Sequence, residues 1–95
     1  MRATPPVAER EVEITNRLGL HARAAAKLVH LASGFGCRIT LSANGEQVDG
    51  KSILGILLLA AAQGTILTIS CDGTDKAEAL ASICALIADN FGEES

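Results

Sequence analysis

Apolar and polar residues change their spacing several times along this chain, and each change marks an element. Glu11-Val12-Glu13-Ile14-Thr15 alternates polar and apolar, which predicts a half-buried strand. Asn16 to Leu20 then read as a loop around Gly19. Ala25, Leu28, Val29 and Ala32 recur at i, i+3, i+4 and i+7, one apolar stripe on a helix over residues 22–33. Arg23, Lys27 and His30 lie off that stripe, and Gly34 stands where a C-terminal cap belongs. Cys37 to Ser42 alternates again. Asn44-Gly45 predicts a tight hairpin, and Glu46 to Asp49 is its short polar return, suited to a sheet edge. Ser52 is placed to cap a second helix from Ile53 to about Ala60, which Gly64 ends. Ile66 to Cys71 is almost wholly aliphatic or β-branched and reads as a central strand. After Asp72-Gly73 turns the chain, Asp75-Lys76-Ala77-Glu78 offers a capping box to a last helix running to about Asn90. Leu80, Ile83, Cys84 and Ile87 make its core stripe.

The order β-α-β-β-α-β-α mixes a hairpin with helical crossings. It predicts an α+β fold: an open-faced sandwich of a four-stranded, mostly antiparallel sheet with three helices on one face. Residues 1–9, with Pro5 and Pro6 and no alternation, read as a flexible tail, which leaves residues 10–92 as the one domain.

Composition narrows the class. Of 95 residues, 48% are hydrophobic but only Phe35 and Phe91 are aromatic, so the core must be aliphatic. A net charge of −3, with eight scattered Lys and Arg, argues against a nucleic acid or an anionic membrane as partner. Cys37, Cys71 and Cys84 are far apart and outside any metal-binding spacing, so they read as small buried hydrophobes and no metal site is expected. The longest apolar stretch, Ile53 to Ala62, is well short of the ~20 residues that span a bilayer, and no signal peptide is visible. The expectation is a cytoplasmic protein without membrane insertion.

Chemistry concentrates in Gly19-Leu20-His21-Ala22-Arg23, between a strand and the first turn of a helix. The first amides of a helix lack intrahelical partners and carry partial positive charge, so they accept a phosphate without a metal. Arg23 adds a planar fork that suits phosphate oxygens, and the His21 imidazole offers a nucleophilic nitrogen. From position alone, His21 fits either a helix cap or the carrier of a transient phosphoramidate. Ser52 likewise fits a plain N-cap or a modifiable hydroxyl at a place where added phosphate is electrostatically tolerated. The run Ile53-Leu54-Gly55-Ile56-Leu57-Leu58-Leu59 has more large apolar residues than one buried stripe can use, so part of it must face solvent.

Thr15-Asn16-Arg17-Leu18-Gly19-Leu20-His21-Ala22-Arg23-Ala24-Ala25 resembles the active-site segment of the histidine-containing phosphocarrier family, HPr, and its lead-in is also similar to the nitrogen-branch paralogue. Gly50-Lys51-Ser52-Ile53-Leu54-Gly55-Ile56-Leu57 resembles the family's regulatory serine segment, and Gln63-Gly64-Thr65-Ile66-Leu67-Thr68-Ile69 the strand after it. The likeness runs unbroken over about residues 11–91. It implies that His21 is phosphorylated through Nδ1, that Arg23 stabilises the phosphoryl group, and that Ser52 is a site for a regulatory kinase or phosphorylase. It implies Ile53, Leu54 and Leu57 as partner contacts, enzyme I as phosphoryl donor and an enzyme IIA as acceptor in the phosphoenolpyruvate-dependent phosphotransferase system. One departure stands out: Ala24 occupies the family's usual proline position. No nucleotide-binding cradle and no acidic pair for magnesium near His21 are present, so the chain reads as a cofactor-free carrier, not an enzyme. A carrier that shows one small face to several partners is expected to be a monomer. The alternative function is a regulatory interaction module with little phosphotransfer flux.

Overall fold

The computed structural model describes residues 7–93. The elements are β1 (Val7–Glu13), α1 (Ala22–Ala32), β2 (Arg38–Ala43), β3 (Glu46–Asp49), α2 (Ile53–Leu58), β4 (Ile66–Asp72) and α3 (Lys76–Ala88), followed by a 3-10 turn at Asn90–Gly92. Alternation sorts the sheet into two faces. In β2, Ile39, Leu41 and Ala43 point inward; in β4, Leu67, Ile69 and Cys71 do so. Their neighbours on each strand are at least partly exposed. A sheet covered on one side only gives this pattern.

The strand order is β1-β4-β2-β3, and all three pairings are antiparallel. β4 therefore lies inside the sheet, as its apolar composition predicts, and the short polar β3 is an edge. Ala43 pairs with Glu46 across Asn44 and Gly45, whose φ values of 53° and 80° are those of the two-residue hairpin turn.

β1 departs from the sequence expectation. It begins at Val7, so residues 7–9 belong to the sheet and not to a loose tail; the rest of that segment, 1–6, lies outside the described residues. Arg10 hides the alternation, because it shares a face with Ala8 and Val12 yet is exposed. As an edge strand bonded only to β4, β1 tolerates such a residue. The strand ends at Glu13, two residues earlier than expected, although Ile14 still exchanges backbone hydrogen bonds with Gly64 and Thr65.

The three helices close over a core whose largest wholly buried side chains are Phe91, Ile14, Leu28, Ile39, Leu41, Ile56, Leu59, Leu67, Ile69, Ile83 and Ile87. Each aliphatic residue of this kind contributes about 1.5–3 kcal/mol relative to exposure. The expected α3 stripe of Leu80, Ile83, Cys84 and Ile87 is buried. So are all three cysteines, which are free thiols. On α1, Ala24, Ala25, Leu28 and Ala32 form the buried face, with Val29 at its margin.

Two helix ends differ from the sequence reading. α2 stops at Leu58, because Ala60 takes a left-handed φ of 52° and turns the chain back before Gly64 is reached. α3 lacks the capping box. Asp75 makes no side-chain cap; its carboxylate instead accepts from the amides of Gly36 and Cys37, at 2.8 and 3.0 Å, before β2. A long-range pair of amides has outcompeted the local one.

Candidate functional site

His21 is the N-cap of α1. Its backbone is extended (φ −77°, ψ 178°), and its Nδ1 accepts from the Arg23 amide at 3.3 Å. The local sequence explains the placement. Gly19 takes a φ of +66°, and the Leu20 amide donates to the Ala61 carbonyl at 2.9 Å, which anchors the loop just before the histidine. Leu20 is buried, so the chain emerges at His21 with the imidazole at the surface, its side chain 26% exposed.

The far side of the ring is also engaged. His21 Nε2 donates to Glu93 Oε2, while Glu93 Oε1 accepts from Asn16 Nδ2 at 3.0 Å. Asn16 is fully buried, and its other amide hydrogen goes to the Gly19 carbonyl at 2.9 Å. With two acceptors facing Nδ2, the orientation of the Asn16 amide follows from the network. The Asn16 amide, and then His21, hold the Glu93 carboxyl below the usual carboxylate range.

Charge around the histidine is lopsided. Arg17, Leu18, Arg23, Lys27, Gly92 and Glu93 line the cleft with His21. Three cations thus surround one carboxylate on a chain whose net charge is −3. Lys27 Nζ donates to the Phe91 carbonyl at 2.6 Å, which ties α1 to the C-terminal turn. Arg23 is exposed beside the cleft. Ala24 is buried and helical; unlike proline, it keeps an amide N–H in the first turn. Among the described residues, no group of three or more His, Cys, Asp and Glu could hold a metal ion.

Ser52 is the N-cap of α2, its Oγ accepting from the Gly55 amide at 3.0 Å. The surplus of apolar residues on α2 resolves as anticipated: Ile56 is buried while Ile53, Leu54 and Leu57 are exposed. Leu58 and, from the histidine loop, Leu18 are exposed too, at 72% and 62%. Neither was distinguishable in sequence from a core leucine. Glu93 is the other residue that sequence reading passed over. It follows the last recognisable stripe position by six residues, in a polar run that resembles an ordinary chain end.

The sequence matches the family described as PTS HPr component phosphorylation site over residues 8–89. It is 51% identical over 85 residues to phosphocarrier protein HPr of Cupriavidus necator, covering 90% of this chain and 96% of that protein. Phosphocarrier protein NPr of Shewanella violacea is 45% identical over 87 residues, covering 92% and 96%. The fold superposes on the crystal structure of HPr-C-His from Thermoanaerobacter tengcongensis with a TM-score of 0.89 and 41% identity, over 93% of this chain and 99% of that one. A histidine poised at a helix N-terminus among three cations, on this sheet and with these relatives, places the chain in the HPr family: it is a phosphocarrier protein of the phosphotransferase system, not an enzyme.

Proposed function

We propose that His21 is the residue that carries the phosphoryl group, on Nδ1, taking it from enzyme I and passing it to an enzyme IIA. One observation supports this above the rest. Nδ1 accepts from a helix N-terminal amide, so it holds a lone pair in the place where a phosphoryl anion is best received. In the forward step the Nδ1 lone pair attacks phosphorus. The P–N bond of the donor phosphohistidine breaks, and its electron pair returns to the donor imidazole. As the phosphoryl group arrives it takes over the Arg23 amide from Nδ1, and the Arg23 guanidinium closes on its oxygens. No water need attack; the partner's surface covers an otherwise open cleft.

Ile53, Leu54 and Leu57, joined by Leu18 and Leu58, are the apolar surface on which partners dock. A small surface of this kind favours brief complexes, which a shuttle needs. Ser52 is proposed as a regulatory phosphorylation site. A phosphate there would put charge at the edge of the docking surface and repel acidic partners, at the cost of the cap to Gly55. The working state is a cytoplasmic monomer.

The test is intact mass after incubation with enzyme I, magnesium and phosphoenolpyruvate, for wild type and His21→Ala. Gain of one acid-labile phosphate by the wild type alone supports the reading. No gain with a demonstrably active cognate enzyme I would sink it. The likeness to an NPr favours a second reading, a regulatory module with little transfer flux. Slow or absent phosphate transfer to an enzyme IIA after normal charging would select it.

A further inference from the structure

We infer that Glu93 is the positioning carboxylate of His21: it fixes the Nε2–H tautomer, leaving the lone pair on Nδ1, and balances the positive charge the ring acquires as the N–P bond forms. The inference rests on the phosphocarrier reading of His21 and adds a residue that reading does not contain.

The geometry assigns the tautomer. The Arg23 amide donates to Nδ1, so Nδ1 must be the unprotonated nitrogen. Glu93 Oε2 stands against Nε2 and, as a carboxylate oxygen, can only accept. The proton therefore sits on Nε2, between ring and carboxylate. In a neutral imidazole this leaves Nδ1 as the sole nucleophilic nitrogen. When Nδ1 takes the phosphoryl group, Nε2 keeps its proton and the ring becomes cationic. A carboxylate in contact with that N–H stabilises the charge, as the carboxylate of a Ser-His-Asp triad does for its imidazolium.

Glu93 is built into place and not simply nearby. Its second oxygen is fixed by Asn16, a wholly buried side chain. Its backbone amide donates to the Asn90 carbonyl at 2.9 Å, closing the turn that carries it. That turn is fastened to the site from both sides. Thr15 Oγ1 donates to Asn90 Oδ1 at 2.6 Å, and Lys27 Nζ donates to the Phe91 carbonyl. Phe91, 1% exposed, pins the turn to the core despite a left-handed φ of 57° that a bulky residue avoids unless its surroundings hold it there. The turn therefore spends backbone strain on delivering one carboxylate to one imidazole.

Glu93→Gln tests this sharply. Two N–H donors, from Asn16 and His21, face the two oxygens of Glu93; glutamine offers one oxygen and one NH2. If its oxygen keeps Asn16, its NH2 meets Nε2, and the ring must move its proton to Nδ1 or lose the contact. The expected result, by 15N NMR of the His21 ring in the unphosphorylated protein, is loss of the Nε2–H form as the dominant tautomer. Phosphoryl transfer from enzyme I should fall at least roughly 10-fold in kcat, between the ~10- to 100-fold cost of removing the carboxylate partner of a metal-bound histidine and the ~10^4-fold cost in a Ser-His-Asp triad, with KM little changed. Glu93→Asp, which keeps two acceptor oxygens, should recover most of the rate. An amide spectrum that overlays with wild type away from the site establishes that the variant is folded. An unchanged tautomer and a kcat within about twofold of wild type in Glu93→Gln would overturn the inference. The tautomer is read without phosphorylation, so failure of wild type to accept phosphate would count against the phosphocarrier reading of His21 and leave this result standing on its own.

Discussion

Gly19 lies against Ala61 so closely that a Cβ on Gly19 would stand 2.5 Å from the Ala61 carbonyl oxygen and 2.9 Å from the Ala62 Cα. The same carbonyl accepts from the Leu20 amide at 2.9 Å. The loop that presents His21 is thus seated on the segment that leaves α2, so the proposed phosphoryl site is braced by the chain that follows the proposed docking helix. Gly19 also has a φ of +66°. Gly19→Ala meets both obstacles at once: the left-handed backbone disfavours a Cβ, and the atoms it strikes are backbone, which cannot swing aside. The expected loss is on the order of 3 kcal/mol in urea denaturation, with a matching decrease in phosphorylation rate as the loop shifts. A stable variant with normal transfer would show that the contact yields.

Asp75 links α3 to the start of β2 through the Gly36 and Cys37 amides. These bonds, the Gly36 amide foremost, hold its carboxyl below the ordinary 3.8. A depressed folded-state value means that the stabilisation is present at neutral pH and disappears as pH falls through 3.8 toward the lower folded value. Glu93 is depressed too and adds to the loss in the same direction. Asp75→Asn retains one acceptor oxygen for two amides. Its urea midpoint should fall below that of wild type at pH 7, and the gap should narrow on acidification. Parallel midpoints across that range would deny the carboxylate this role.

What the sequence made legible follows the range of the forces involved. β2, β4 and the stripe of α3 were readable because each declares its face by spacing alone, with Ile39, Leu41, Leu67, Ile69, Ile83 and Ile87 at regular positions. His21 and Ser52 are readable as helix N-caps because helix N-termini impose local chemistry, while their proposed phosphorylation and the role of Arg23 rest on the family resemblance. β1 was cut short because its pairing depends on β4, distant in sequence, and Arg10 breaks the apolar alternation of its inner face. Asp75 was misread because a carboxylate three residues before a glutamate looks like a capping box, and only the fold brings the Gly36 and Cys37 amides to it. Glu93 left no local sign. It reaches His21 across 72 residues of chain, by way of a turn anchored on Phe91. Spacing carries the core and the caps; contacts between distant polar residues wait for the fold.

The buried cysteine near the C-terminal end of β4 makes a chemical prediction. Burial, and then its neighbour Cys37, push the Cys71 thiol up to about 11 from 9.0. A raised value means that the neutral thiol is the form the fold favours. Its contribution to stability is complete below 9.0 and is lost as pH rises through about 11. At pH 8 the native protein should therefore alkylate at Cys71 only as fast as it opens. In denaturing urea the reaction should proceed at the rate of an ordinary thiol. Mass spectrometry after timed iodoacetamide treatment reads both. Equal rates with and without urea would mean that β4 is far more open than its packing implies.

Leu54 and Ile56 sit two residues apart on α2 and do opposite work. Leu54 is 72% exposed and Ile56 is 0% exposed, so one side chain is available to a partner and the other belongs to the core. An exposed leucine contributes little to folding, and Leu54→Glu should change stability by no more than about 0.5 kcal/mol. If the α2 surface docks partners, the same change puts a charge into an apolar contact. It should raise the KM for phosphoryl transfer from enzyme I about tenfold, which is 1.4 kcal/mol of binding. kcat should be spared, because His21, Arg23 and Glu93 are untouched. Ile56→Ala should do the reverse, lowering stability by about 2–5 kcal/mol through the cavity it leaves. While the protein stays folded, its KM should remain close to that of wild type. Steady-state transfer assays beside urea titrations separate the two effects. A Leu54→Glu protein that is stable and keeps its wild-type KM would remove α2 from the docking surface and leave the exposed Leu18, beside the histidine, as the apolar contact to test next.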